Sequence, residues 1–461
     1  MVGFCGCCHV NSMNLVVRII TIIFFGSVNC FVNKFDLFDS VDIKRINPKF
    51  IDKWLDEYFE VSGNRVPPRL FIEWIKLAST HNCSIRPSDY KSIFEDLKPF
   101  KMPGMSKEYI KIDYNIIEAY EREALLVSKD NLADISKKLP AHIGNSLDLV
   151  KSVLNPAVDF NLIIQYFDES MIIPSDDHSL EPYASMDSVF ERNSRFRNMF
   201  AEYQGNYSLL SVPVNFVAIP AKFPVMSVDR IRGFYDIIMP TRRTGLGILS
   251  KEQRAVAQNH SNWNEKLTRA IFRGTSTGIN FKDAKKKELD LLTNPRFLLY
   301  EMALQQREGT LNCSVPLDFA ITKYWQFNGD LEDFKPMKEA YPELPSYGGL
   351  TEQFKSKYVV VVDGNAWPEK VAALMFSGSL VFLATIHEDW VIRQLVDGEN
   401  YIKVKPDLSD LIEKLEWAYA NDEEAKRIAE NGRQVAMKKF DTNHLQVYNA
   451  FLMMEYQALF S

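Results

Sequence analysis

The order of elements between residues 357 and 383 constrains the fold more than any other feature of this sequence. A valine-rich apolar run leads into the polar turn Asp363-Gly364-Asn365, Val371 to Phe376 is typical of a helix, and Gly378 to Leu383 is typical of the next strand. Strand and helix patterns alternate in this way from Leu267 onward, as a parallel sheet requires. The sequence therefore predicts an α/β fold.

A second polar turn follows the apolar run Ala270 to Phe272. Arg273 is followed there by Gly274, Thr275 and Ser276. Small residues let backbone N–H groups approach a ligand closely, hydroxyls add donors, and the planar fork of an arginine suits phosphate oxygens. The pattern favours a diphosphate site, although an ordinary turn after a buried strand has a similar composition. It is not a Walker P-loop, because no Gly-Lys-Ser/Thr follows.

These two turns are predicted to face one crevice, because ligands of open α/β sheets bind beyond the carboxyl ends of the strands. A bound diphosphate needs a metal ion or fixed donors and cations to offset its charge. Sites that hold a diphosphate through a metal ion commonly use an Asp-x-Asp motif, and this sequence contains none. The pattern therefore favours a site without a metal, in which Arg273, the Thr275 and Ser276 hydroxyls, and Lys370 hold the diphosphate.

Four segments together resemble the glycosyltransferases of family ninety, which include the Rumi-type protein O-glucosyltransferases and the fungal capsule-associated xylosyltransferases. The segments are FRGTSTG, KYVVVVDGNAW, SGSLVF, and DW followed by YIKVKPDLSDL. A weaker similarity extends back to FEDLKPF at Phe94–Phe100. The resemblance implies a GT-B fold, with two Rossmann-like domains facing a central cleft and a C-terminal helix that returns to the first domain. It also implies a UDP-sugar donor, inversion at the anomeric carbon, and no cofactor or required metal.

The resemblance assigns the donor to both turns. The donor-binding residues that it implies are Arg273, Gly274, Thr275, Ser276, Asp363, Gly364, Asn365 and Lys370. Lys370 stands where the family generally has an arginine, and a lysine supplies charge without the bidentate fork. This difference bears on donor affinity and donor choice.

Asp168 is the catalytic base that the resemblance implies. It ends the apolar run that begins at Asp159, which places it at the carboxyl end of a predicted strand. The match is one of position, since Phe167 replaces the basic residue that usually comes before. A helix N-cap or turn aspartate would look the same, and Asp176 and Asp177 are alternative candidates.

The amino terminus has the pattern of a targeting segment. Ile19 to Phe25 is a short apolar run behind Arg18, followed by small residues, which fits a secretory signal peptide with a possible start at Met13. The run is short for a membrane span. A signal anchor and a buried N-terminal strand are the alternatives.

Cysteines and glycosylation motifs bear on the compartment. Only Cys83 and Cys313 of the six cysteines lie outside the amino-terminal segment, which gives little support for a disulfide framework or a zinc site. Four Asn-x-Ser motifs are compatible with the secretory pathway, and such motifs also occur by chance; they begin at Asn82, Asn206, Asn259 and Asn312. We expect a location in the endoplasmic reticulum lumen or the Golgi, with membrane contact only through a possible anchor.

The remaining patterns are mostly helical. Phe50, Trp54 and Tyr58 recur at helical spacing, as do Phe71, Trp74 and Ile75, and Tyr109 to Val127 predicts a further helix. Three helical sets follow residue 407, and His387 is predicted to lie in a loop. The net charge of −6 without a basic block argues against a nucleic-acid partner.

The 461 residues suggest more than one domain. We predict a signal peptide or anchor in residues 1–30, a helical region with an acceptor-side Rossmann-like domain in 31–240, a UDP-sugar-binding Rossmann-like domain in 241–440, and a crossing helix in 441–461. The predicted function is inverting transfer of glucose or xylose from a UDP-sugar to a hydroxyl of a secreted protein or a glycan. The alternative is a non-catalytic, degenerate transferase that binds a nucleotide or glycan; a glycan phosphorylase would need a phosphate or cofactor site that the sequence does not reveal.

Overall fold

The computed structural model describes most of the carboxyl-terminal half and separate segments before it. The described residues are 48–63, 65, 71–80, 83, 86–100, 124–128, 161–165, 172–173, 194–199, 219–220, 224–241, 244–278, 294–324, 335–343 and 349–460. The chain divides into two compact units, Met1–Lys91 and Ser92–Ser461.

The described helices are α1 (Pro48–Ser62), α2 (Phe71–Thr80), α3 (Lys91–Leu97), α4 (Ser194–Met199), α5 (Lys251–Asn259), α6 (Pro295–Glu308), α7 (Lys335–Ala340), α8 (Gly349–Gln353), α9 (Val371–Phe376), α10 (Leu411–Ala420), α11 (Asp422–Lys439) and α12 (Thr442–Gln457). Short 3₁₀ turns lie at Pro87–Tyr90, Lys98–Phe100, Leu246–Ile248, Trp263–Glu265, Ile392–Gln394 and Ala458–Phe460.

The described strands are β1 (Ala124–Ser128), β2 (Asn161–Gln165), β3 (Ile172–Ile173), β4 (Ile219–Pro220), β5 (Val225–Ser227), β6 (Asp229–Ile231), β7 (Ile237–Ile238), β8 (Leu267–Thr275), β9 (Leu317–Lys323), β10 (Ser356–Val362), β11 (Leu380–Ala384), β12 (His387–Asp389) and β13 (Ile402–Val404).

Aromatic side chains form the core of the first unit. The rings of Trp54 and Phe71 lie 5.3 and 5.5 Å from the ring of Trp74, and the Tyr90 ring contacts Trp74 edge-on at 5.5 Å. Trp74 is fully buried. The prediction of packed amphipathic helices in this region is confirmed.

A four-stranded sheet in the second unit has the order β1-β2-β5-β7. β1 runs antiparallel to β2, whereas β2, β5 and β7 are parallel. The predicted strand before Asp168 is present as β2, although Asp168 itself lies outside the described residues. The helix predicted from Tyr109 to Val127 is wrong at its end, because Ala124–Ser128 pairs with β2 along its whole length.

A five-stranded sheet with the order β13-β11-β10-β8-β9 organises the rest of this unit, and all its strands are parallel. The predicted α/β class with a parallel sheet is confirmed, and helix α9 has the predicted bounds Val371–Phe376. From β8 the chain first moves outward to β9 and then returns to the other side of β8 as β10. The strand order therefore reverses between β8 and β10.

One face of this sheet is covered by α6, α10 and α11. Phe272, Val360 and Phe382 point into that layer, where they meet Leu299 and Leu415. Strands with apolar residues on both faces are expected when helices cover a parallel sheet. The three helical patterns after residue 407 are confirmed as α10, α11 and α12, except that Leu408 precedes α10 with a φ of 61° and Tyr419 is 48% exposed.

A two-stranded antiparallel ladder joins β6, which lies between β5 and β7 in the chain, to β12, which lies between β11 and β13. His387 begins β12 and is fully buried, so its prediction as a loop residue is wrong. Its Nδ1 lies 2.6 Å from Asp229 Oδ2 in the paired strand. In α12, Asn449 donates to Pro240 O and Tyr456 donates to Pro224 O, which attaches the last helix to the segments around β5 and β7.

The predicted amino-terminal targeting segment lies outside the described residues. Among the helices that are described, none combines the length and the apolar character needed to cross a membrane. The domain division near residue 240 and the cleft between two Rossmann-like domains stay predictions.

Candidate functional site

The candidate site lies beyond the carboxyl ends of β8 and β10, the two neighbouring strands between which the strand order reverses. Helices leave the sheet in different directions at such a point and open a crevice between the strand ends. The second polar turn singled out by the sequence follows β10, whereas the prediction of a turn from Arg273 is wrong, because Arg273 to Thr275 form the end of β8 and the chain leaves the strand only at Ser276. The fold therefore brings together residues that are about ninety positions apart in the chain.

A side chain connects the two turns directly. Gly278 N donates to Asn365 Oδ1 at 2.9 Å, and Gly278 has a φ of 95°, which favours glycine. Gly364 N closes the second turn by donating to Ala366 O at 3.0 Å. Asn365 therefore has a clear structural role in holding the turns side by side.

Arg296 lies between the two turns, and the sequence analysis did not identify it. Nε donates to Asp363 O at 2.9 Å and Nη1 donates to Thr275 O at 2.7 Å. Asn294 caps helix α6 by accepting from Arg296 N, and Pro295 occupies the first helical position. An Asn-Pro pair is a recognisable helix start, so the sequence did contain a signal that Arg296 begins a helix.

Two glycines make room for this arginine. A Cβ atom on Gly364 would lie too close to Arg296 Nη2 for van der Waals contact, and it would lie 2.8 Å from Thr277 Oγ1. A Cβ atom on Gly274 would lie 2.8 Å from the Phe272 ring and 3.3 Å from Arg296 Nη1. Both predicted site glycines are therefore needed for the close approach of the guanidinium.

Burial lowers the pKa of Arg296 to about 10, while the charge of Asp363 acts in the opposite direction. Arg296 therefore stays a cation at neutral pH. Because its three described acceptors are two carbonyl oxygens and the Thr275 hydroxyl, all neutral, its positive charge is not cancelled by a contacting carboxylate among the described residues.

Lys370 reaches the same region from the start of helix α9. Its Nζ donates to Arg273 O at 2.9 Å and to Gln353 Oε1 at 3.1 Å, and lies 5.0 Å from the centre of the Phe272 ring. Burial lowers the pKa of Lys370 to about 7, and the charges of Arg296 and Arg273 add to this effect. The residue is partly exposed, and an anion in the crevice would stabilise the charged form of its ammonium.

The Arg273 carbonyl accepts a hydrogen bond from Lys370, but the Arg273 guanidinium has different partners. It forms an ion pair with Asp318 of β9, with Nη2 2.7 Å from Oδ1, and Nη1 donates to Phe272 O and Asp318 O. The side chain is 1% exposed. Arg273 still belongs to β8 rather than to the turn, and its predicted contact with a donor stays a prediction.

The other predicted binding residues have different surroundings. Thr275 is the last residue of β8, and its carbonyl and hydroxyl both face Arg296. Ser276 is fully buried and its N–H donates to Lys323 O at 3.1 Å. Their hydroxyls were predicted to bind the donor, which stays a prediction.

The Asp363 carboxylate is turned away from Arg296. It accepts from the Thr385 hydroxyl and from Ile386 N, the latter at 2.9 Å. Burial raises the pKa of Asp363, although His387 and these hydrogen bonds act in the opposite direction. The carboxylate thus ties the end of β10 to the segment after β11, and it is the backbone carbonyl of Asp363 that contributes to the crevice.

Asp168, predicted as the catalytic base, and the alternatives Asp176 and Asp177 lie outside the described residues. Within the described part of the chain, no group of three His, Cys, Asp or Glu side chains is arranged to hold a metal ion. The use of a metal or of none stays untested.

Comparison with known proteins identifies the family. Residues 221–461, more than half of the chain, match the model of glycosyl transferase family 90. Protein O-glucosyltransferase 2 of Danio rerio is 29% identical over 221 residues, covering 46% of this chain and 38% of that protein. Protein O-glucosyltransferase 3 of Homo sapiens is 28% identical over 246 residues, covering 51% of this chain and 42% of that protein.

A viral relative, uncharacterized protein 035R of Invertebrate iridescent virus 3, is 27% identical over 246 residues, covering 48% of this chain and 21% of that protein. The chain therefore spans less than half the length of each of these three relatives. The family match includes both turns, Arg296 and Lys370, and begins after Asp168. The resemblance found in the sequence is confirmed, and the chain belongs to glycosyl transferase family 90.

Proposed function

We propose that this chain transfers glucose or xylose from a UDP-sugar to a hydroxyl of a protein or glycan acceptor, with inversion of the anomeric carbon. The observation that carries the proposal is the crevice at the point of strand reversal, where two cations, Arg296 and Lys370, meet two glycine-containing turns. The relatives named protein O-glucosyltransferase support glucose as the sugar and a protein as the acceptor.

The chemistry requires charge stabilisation at one end of the donor. As the acceptor oxygen forms its bond to the anomeric carbon, the bond from that carbon to the phosphate oxygen breaks, and the electron pair leaves with UDP. Fixed cations and donors lower the barrier because they are already in place when this charge develops. Arg296 and Lys370 would serve that role in the proposed site, without a required metal.

The acceptor hydroxyl must lose its proton as it attacks. We assign this proton to the Asp168 carboxylate, as the family resemblance implies. A base on the opposite side of the sugar from the leaving diphosphate gives a single displacement, which inverts the anomeric centre.

The test measures binding and turnover separately. Purified full-length protein is incubated with a panel of radiolabelled UDP-sugars, with hydrolysis and transfer as readouts and with UDP-induced thermal stabilisation as the binding readout. Asp168→Asn is expected to keep the thermal shift and to lose most of the transfer. Transfer at the normal rate by Asp168→Asn would remove this residue from the role of base.

Two further outcomes decide between the function classes. Stabilisation by UDP without hydrolysis or transfer of any tested donor would favour the non-catalytic nucleotide-binding protein. If UDP gives no thermal stabilisation and no tested donor is turned over, the proposed donor site is wrong.

We also propose entry into the secretory pathway, supported by the apolar run Ile19 to Phe25 and by the Asn-x-Ser motifs. Translation in the presence of microsomes is expected to give a protease-protected product. A product that stays fully protease-sensitive would contradict this location.

A further inference from the structure

Only part of the Arg296 guanidinium is hydrogen-bonded to described acceptors. A guanidinium carries five N–H donors on three nitrogens. Nε and Nη1 are used to hold Asp363 O and Thr275 O, at the ends of β10 and β8. Nη2 donates to no acceptor within the described residues, and the residue is partly exposed. The same side chain therefore fixes the two strand ends and keeps one edge available to a ligand.

The position of this edge is given by the glycine of the second turn. Nη2 and Thr277 Oγ1 both lie within about 3 Å of the point where a side chain on residue 364 would begin. Because residue 364 is a glycine, Nη2 and the Thr277 hydroxyl can both pack against its backbone, which is buried, while Arg296 and Thr277 themselves are partly exposed. A charged N–H donor and a hydroxyl therefore lie close together at one position between the turns.

The electrostatics favour an anion at this position. Arg296 and Lys370 carry like charges that are close enough for Arg296 to depress the pKa of Lys370. The nearby carboxylate, that of Asp363, is directed toward Thr385 and Ile386 instead. A phosphoryl oxygen accepts hydrogen bonds from arginine and from hydroxyl groups, and its charge would offset the repulsion between the two cations.

We propose that Arg296 is the phosphate-binding arginine of the donor site, that its Nη2 edge and the Thr277 hydroxyl bind one phosphoryl group of the diphosphate, and that Gly364 is required for this contact. The inference rests on the proposed function and adds to it a binding residue outside the two sequence motifs. Arg273, the arginine of the first motif, is engaged with Asp318.

The test compares two ligands that differ only in their phosphates. Dissociation constants for UDP are measured by isothermal titration and those for uridine by NMR titration, on full-length protein and on Arg296→Gln and Arg296→Lys. A charged hydrogen bond is worth about 10- to 100-fold in affinity. We expect Arg296→Gln to weaken UDP by that factor, to leave uridine unchanged, and to be partly rescued in Arg296→Lys.

A second variant covers the case in which Arg296→Gln does not fold. Gly364→Ala keeps the charge but places a methyl group against Nη2, so it is expected to weaken UDP selectively as well. Arg307→Gln, at the exposed end of the same helix, is the matched control and should bind UDP normally.

The outcomes separate the two proposals. Equal losses of uridine and UDP affinity would mean that Arg296 only shapes the crevice, and unchanged UDP affinity would mean that it does not face the phosphates; either result overturns this inference while the proposed function stands. Failure of the unmodified protein to bind UDP overturns both.

Discussion

The two ends of the five-stranded sheet each hold a lysine whose ammonium donates to neutral oxygens, and the two lysines differ in their surroundings. At the amino end of β8, Lys266 Nζ donates to Phe354 O at 2.5 Å and to Ser379 Oγ at 3.1 Å, and the residue is 6% exposed. At the carboxyl end, Lys370 also has two neutral oxygen acceptors but is partly exposed beside Arg296. Burial lowers the pKa of both lysines to about 7.

The difference lies in what surrounds each ammonium. Around Lys266 the serines close the space, because Ser379 Oγ donates to Ser356 O at 2.8 Å and lies 3.1 Å from Ser377 Oγ. Each lysine has a cation nearby that lowers its pKa further, Arg433 for Lys266 and Arg296 for Lys370. Around Lys370, however, the neighbouring segments contain glycines and the residue is partly exposed. A lowered lysine pKa and a neighbouring cation therefore do not identify a ligand site by themselves, and it is the partial exposure of Lys370 at the carboxyl ends of the strands that favours one.

The largest expected effect is on catalysis at the open end. Lys370→Gln should reduce the transfer rate about a hundredfold to a thousandfold, because the departing diphosphate loses a fixed cation. Steady-state kinetics with the preferred UDP-sugar measure this change. Lys405→Gln, at an exposed position, is the control. A normal rate in Lys370→Gln would show that the open end is no more functional than the closed one.

The next effect is on stability at the closed end. Gly378 precedes β11 with a φ of 77°, and a Cβ atom there would lie 2.9 Å from Ser261 O. We expect Gly378→Ala to lower the free energy of unfolding by about 1–3 kcal/mol, measured by urea denaturation, with UDP affinity unchanged. Gly398→Ala is the matched control, since Gly398 has a φ of 73° but no atom within 4 Å of that position. An equal loss in both variants would attribute the effect to backbone strain alone.

Part of the pH dependence of stability should come from Lys266 at the closed end, and Lys370 should contribute in the same direction. Between about pH 7 and the ordinary lysine pKa, the unfolded chain holds the Lys266 proton and the folded chain does not, so the free energy of unfolding rises with pH. Lys266→Met should remove part of this rise, by at most about 1.4 kcal/mol per pH unit. Denaturation at pH 7 and pH 9 measures it. An identical rise in the variant would mean that Lys266 stays charged in the folded protein.

The smallest effect concerns donor affinity at the open end. The lowered pKa means that Lys370 loses its charge as the pH rises above about 7. The affinity for UDP-glucose should therefore fall above this pH, by less than about tenfold per pH unit. Lys370→Arg stays charged, so its affinity should change less between pH 6 and pH 9. Calorimetric titration at several pH values checks this, and parallel profiles for the two proteins would contradict it.

Local patterns predicted the strand, turn and helix around Asp363 correctly, because a buried parallel strand and a short apolar helix each have a distinctive composition. The pattern at Tyr109 to Val127 misled, because the pairing of Ala124–Ser128 with β2 decides its conformation. His387 was misjudged for the same reason, since its strand forms only against β6.

The candidate site shows the same division. The sequence drew attention to Arg273, whose guanidinium is held by β9, and it passed over Arg296, whose acceptors lie 21 and 67 positions away in the chain. The Asn294-Pro295 helix start was visible, but nothing local indicates which carbonyl oxygens a side chain will meet.

The sequence by itself determined the family, the parallel α/β class and the two glycine-containing turns, because these depend on residues that are neighbours in the chain. Only the tertiary structure decided which arginine stands between the turns and which lysine is enclosed. Those outcomes depend on how strands far apart in sequence are ordered within one sheet, and hence on which charged groups share a crevice and which are sealed from water.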